Sequence, residues 1–100
     1  MIYIGYQITP VPGKLNDVLN ANKQLREIAE ANGARQVGGF QVTLGPDSGS
    51  LVYIVAYPDA DAYLAAGKAL ADSAATKQLE ACTASQSSSA LQPLPDSALQ

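Results

Sequence analysis

The spacing of apolar positions changes several times along this chain, and each change marks an element. Leu51 to Tyr57 is apolar at every position and is bounded by Gly49-Ser50 and Pro58-Asp59. A run this short, mostly β-branched or aromatic, predicts a strand rather than a helix or a membrane span. Being apolar in both alternating phases, it must be covered on both sides. Ile2 to Thr9 instead alternates, with Ile2, Ile4, Tyr6 and Ile8 on one face and Tyr3, Gly5, Gln7 and Thr9 on the other. That period of two predicts a strand, stopped by Pro10-Val11-Pro12-Gly13 because prolines cannot donate to a ladder. Ala34 to Leu44 predicts a further strand whose phase slips at Gly38-Gly39, and a bulge there would restore a single apolar face. The turn-forming run Gly45-Pro46-Asp47-Ser48-Gly49 joins it to Leu51–Tyr57 as a hairpin.

Between the strands the period becomes helical. Leu15, Val18, Leu19, Leu25, Ile28 and Ala29 form one stripe over residues 14–32, ended by Asn32-Gly33. Asn22 interrupts the middle of that stripe. A second helix is expected after Pro58, with Asp59 as its N-cap and Ala60, Tyr63, Leu64, Gly67, Leu70, Ala71 and Ala74 on its stripe. Asp72-Ser73 is expected to kink or divide it, with a further helical piece over residues 74–83. The serine-rich segment 85–94 reads as an edge strand because its prolines suit an edge, with a loose tail as the competing reading.

The order strand, helix, strand, strand, helix, strand predicts an α+β, ferredoxin-like split βαβ fold. Right-handed crossovers put both helices on one face of a four-stranded antiparallel sheet, with the first and third strands central. The other face keeps half of Leu51–Tyr57 and one phase of the first strand, and the sequence leaves open which phase that is. Such an apolar face marks an interface, and two sheets packed across a two-fold axis would bury it.

One hundred residues make one domain, read as 1–95 with 96–100 as a tail. Hydrophobic residues are 47% and charged residues only 15%, a shortage of polar surface that again suggests a homodimer. A net charge of −3 argues against nucleic-acid and anionic-lipid partners, and no run approaches bilayer length. With no secretion signal evident and Cys82 the only cysteine, the cytoplasm is the default location. The absence of His removes an imidazole base, and with one Cys it removes ordinary zinc sites, so neither metal nor cofactor is expected. Asp59 and Asp61 read as charges suited to a helix N-terminus, and Cys82 as a small buried hydrophobe.

Met1-Ile2-Tyr3, Pro12-Gly13-Lys14-Leu15, Gly33-Ala34 leading to Val37-Gly38, and Ala56-Tyr57 followed by an acidic residue at the next helix resemble the NIPSNAP-type branch of the dimeric α+β barrel superfamily, close to the antibiotic-monooxygenase-like branch. The resemblance implies a homodimer whose two sheets form a barrel, with any ligand between each sheet and its helices. One departure is that the branch commonly carries charged residues where this chain has Ile4 and Tyr6. The superfamily includes cofactor-independent monooxygenases of aromatic compounds, haem-degrading enzymes and lactone isomerases. In the cofactor-free monooxygenases Asn, Trp and Tyr side chains position the substrate; this chain has Asn22 and tyrosines but no Trp. No His is present to ligate haem.

A buried amide must find partners or cost about 1–3 kcal/mol, so Asn22 is the most informative polar position. Gly67 is expected at the matching place on the second helix, and together they suggest a gap. If the resemblance fixes the strand face, Tyr3, Gly5 and Gln7 point into it. The resulting expectation is a small, mainly apolar pocket with candidate residues Asn22, Gln7, Tyr3, Tyr57, Tyr63 and Gly67. The competing expectation puts Asn22 in water at the stripe's edge and makes Gly67 a point of close helix approach. An enzyme acting on a small aromatic or polyketide-like compound and a protein-interaction module are the alternatives to simple ligand binding.

Overall fold

The computed structural model describes residues 1–97. Its elements are β1 (Ile2–Pro10), α1 (Leu15–Ala31), β2 (Arg35–Gln41), β3 (Leu51–Tyr57), α2 (Ala60–Ala71), α3 (Ala74–Cys82) and β4 (Thr83–Leu91). The strands form one antiparallel sheet in the order β2-β3-β1-β4, so the two most apolar strands are central, as a split βαβ fold requires. Of the expected tail, residues 98–100 lie outside the described residues.

Local chemistry sets the boundaries. Pro12 and Gly13 (φ +83°) form a type II turn closed by the Lys14 N–H donating to the Val11 carbonyl, which launches α1. At its other end Gly33 (φ +94°) adopts the left-handed conformation. Its N–H donates to Glu30 and that of Ala34 to Ala29, the paired bonds of a Schellman cap. The Asp59 carboxylate accepts from the Ala62 N–H at 2.8 Å and caps α2. Ser73 caps α3 in the same way through Ala75, so Asp72-Ser73 divides the helix.

Three packing expectations are corrected. First, Ile4 and Ile8 face the helices, joining Ala29 and Val18 of α1 in the core. Alternation therefore sends Tyr3, Gly5 and Gln7 to the outer face. The more aliphatic phase of β1 takes the dry side. Second, α2 buries Ala66 fully, while Leu64 and Tyr63 of the expected stripe are 65% and 39% exposed. Gly67 is exposed, with nothing near the place its side chain would occupy. In an alanine-rich helix the small side chains allow close approach, so the larger residues turn outward. Third, the bulge in β2 falls at Val37, between Gln36 and Gly38. It puts Gln36 and Gly39 on the helix face and leaves Phe40 outside, 61% exposed.

Candidate functional site

The core is not continuous. One cluster gathers Ile8, Val18, Ala21, Leu51, Leu79 and Cys82, and the other gathers Ile4, Ala29, Ala34, Tyr57 and Ala66. Between them, under α1, lies a cavity of about 250 Å³ whose walls draw on both. The sheet supplies its floor through Tyr6, Ile8, Tyr53, Val55 and Tyr57, with Gln36 and Gln86 on the outer strands, and Gly39 stands opposite Tyr53 in the register. Gly39 contributes no side chain, and a Cβ there would come within 3.1 Å of the Gln36 amide nitrogen and 3.4 Å of the Tyr53 ring. This glycine and the neighbouring bulge bring Gln36 to the wall.

The tyrosine hydroxyls and the Asn22 amide sit in mainly apolar surroundings. The Tyr6 and Tyr57 hydroxyls lie 3.3 Å apart. Burial, and then the bond to Tyr57, hold the Tyr6 phenol well above the ordinary tyrosine range. Tyr57 is almost wholly buried, and Tyr63 meets its ring edge-on at 5.2 Å, fixing its orientation. On the α1 side Asn22 lines the cavity with Tyr53, and its amide partly offsets the upward push that burial gives the Tyr53 phenol. Asn22 is a half-buried amide on the cavity wall.

Of the six candidate residues, Asn22 and Tyr57 line the cavity. Tyr63 stands behind Tyr57. Tyr3 and Gln7 lie on the opposite face of the sheet, and Gly67 faces outward from α2, so none of these three reaches the cavity. Tyr6, Tyr53 and Gln36 line the cavity although sequence reasoning did not select them. The signal for the first two was available: each is a hydroxyl-bearing residue in the strand phase that carries the aliphatic core.

At the rim Arg26 and Glu30 bond to each other at 3.2 Å, with both side chains well exposed. Cys82 is buried, its thiol donating to the Gln78 and Leu79 carbonyls, as suits a core residue. Among the described residues no three His, Cys, Asp or Glu side chains come together to hold a metal ion, and no helix is long and apolar enough to cross a membrane.

No curated protein matches the chain in sequence. Solved structures do match in fold. A NIPSNAP family protein with unknown function from Agrobacterium tumefaciens superposes with a TM-score of 0.80 at 18% identity, covering 100% of this chain and 94% of its own. An uncharacterised NIPSNAP domain protein from Burkholderia xenovorans gives 0.76 at 22%, covering 97% and 98%. A putative antibiotic biosynthesis monooxygenase from Nitrosomonas europaea gives 0.71 at 14%, covering 94% and 99%. The NIPSNAP sequence profile matches residues 4–98, nearly the whole length, and the chain therefore belongs to the NIPSNAP family.

Proposed function

We propose that the protein is a cytoplasmic homodimer, paired through the outer sheet face, that binds a small, mainly apolar molecule between its sheet and its helices. Residues 1–95 act as the single unit that does this. The observation carrying the ligand reading is the cavity of about 250 Å³ between two separate core clusters. An apolar cavity of about 150 Å³ takes a benzene ring, so this one suits one ring or two fused rings. Asn22, Tyr6, Tyr53 and Tyr57 are its orienting groups.

Support for the dimer comes from the outer face, where Val52, Ile54, Phe40 and Leu91 form an apolar surface with Phe40 and Leu91 61% and 43% exposed. Covering such side chains is worth about 1.5–3 kcal/mol for each one fully buried. Naphthalene titrated into the protein should bind saturably, one per chain, and shift the amide resonances of Asn22 and Tyr53. Absence of saturable binding would refute the ligand reading.

A second reading, cofactor-free oxygenation of a phenolic substrate in the same cavity, is favoured by Asn22 and Tyr53 lining it together and by the fold shared with a putative monooxygenase. Air incubation with an anthrone or a quinol, followed by product assay, separates it from simple binding. Turnover that Asn22→Ala abolishes while the dimer persists would support it, and no turnover would reject it for those substrates.

A further inference from the structure

Counting protons at the cavity wall narrows the ligand further. A phenol offers one proton and two lone pairs; a primary amide offers two protons and one carbonyl oxygen. Within the Tyr6–Tyr57 pair one proton lies between the two oxygens, which leaves the other hydroxyl proton to be donated elsewhere. Tyr53 and Asn22, which also line the cavity, bring a further hydroxyl proton and two amide protons. Beside the amides of Gln36 and Gln86, the wall therefore holds hydroxyl protons that the Tyr6–Tyr57 bond leaves free, set among Ile8, Leu25, Val55 and Leu79. Full charge is absent from this part of the wall: Arg26 sits at the rim with its guanidinium engaged by Glu30 at 3.2 Å. An anion entering the apolar interior would lose its hydration without gaining an unpaired cation. A neutral acceptor would lose little and gain a phenol hydrogen bond. Burial keeps Tyr6 and Tyr53 protonated, so both remain donors.

We propose that the cavity selects an uncharged one- or two-ring compound bearing a ketone or ester carbonyl, whose oxygen accepts from the Tyr6–Tyr57 hydroxyl pair. This rests on the reading of the cavity as a ligand site, and the test separates the two. At neutral pH, 2-acetylnaphthalene, 2-naphthoate and naphthalene share one ring system and differ in polar group: a neutral acceptor, an anion, and none. Their affinities for the full chain are measured by calorimetry.

The ketone is expected to bind at least tenfold more tightly than the carboxylate and several-fold more tightly than naphthalene. Tyr6→Phe combined with Tyr57→Phe keeps both rings and should bring the ketone down to the naphthalene level measured in the same variant. The single Tyr6→Phe variant serves if the double variant fails to fold, with a smaller loss of the same sign. Equal affinity for ketone and naphthalene would overturn the selection while keeping the ligand site. Tighter binding of naphthoate would overturn it in favour of an anion site built on Arg26. Binding of none of the three would remove the ligand site and this inference together.

Discussion

The two faces of the sheet are built from the same strands and are filled in opposite ways. Toward the helices Ile4 and Ile8 are 6% and 4% exposed, yet the packing parts around a cavity lined by tyrosines. Toward the outside Phe40 is 61% exposed, and Val52 and Ile54 lie beside it on β3, on the face away from the three helices. The inner face is covered but incompletely filled; the outer face is buried at Tyr3 and Ala56 and open around Phe40. Helices joined by short turns cannot fit every position of a twisted sheet, and a gap left at tyrosine and asparagine side chains becomes a place for a ligand. On the proposed reading, the exposed apolar part of the outer face receives another copy.

Substitutions on the two faces should therefore fail differently. Ile8→Ala removes a side chain packed with Val18 and Leu79, and it should cost about 2–5 kcal/mol in unfolding free energy. Denaturant titration should give that loss at every protein concentration. Ile54→Lys, on the outer face, should leave the chain folded and weaken the dimer by 100-fold or more in sedimentation equilibrium. A variant that unfolds at all concentrations would erase the distinction. Gly39→Val puts a branched side chain where a Cβ alone would lie 3.1 Å from Gln36. Naphthalene affinity should fall about tenfold, the loss of roughly 1.4 kcal/mol that an obstructed pocket gives, with the dimer unchanged.

The tyrosines also give the inner face a pH signature. A phenol whose folded pKa is raised stays protonated in the folded chain after the unfolded chain has ionised. Stability from Tyr6 is thus complete below the ordinary tyrosine value of 10.0 and is lost as pH rises above it. The melting temperature should fall as pH rises above about 10, and Tyr6→Phe should flatten part of that fall. The smallest effect is expected from Arg26→Ala. Its exposed pair with Glu30 should contribute about 0–1 kcal/mol, as surface ion pairs do.

Much of this arrangement was legible in the sequence, for reasons that differ between elements. The strand order followed from element order and handedness alone, and the α1 stripe from large aliphatic residues at helical spacing. Asn22 stood out because an amide among leucines has to be explained. The α2 stripe was misread because alanine fits either face of a helix, so its phase depends on what the neighbours leave room for. The choice between the two phases of β1 was open for a related reason: each carries a tyrosine, and neither carries a charge. Gln36 was hidden by the bulge, since one extra residue moves it to the opposite face. Tyr6 and Tyr53 were in reach once the aliphatic phase of β1 and β3 was assigned to the helices.

The division of labour between the two faces can be read in a single titration. Amide and side-chain resonances followed by heteronuclear NMR as 2-acetylnaphthalene is added should shift at Tyr6, Asn22, Tyr53 and Val55. Those of Phe40, Val52 and Ile54 should stay in place. Shifts concentrated on the latter three would put the ligand on the outer face and contradict the account.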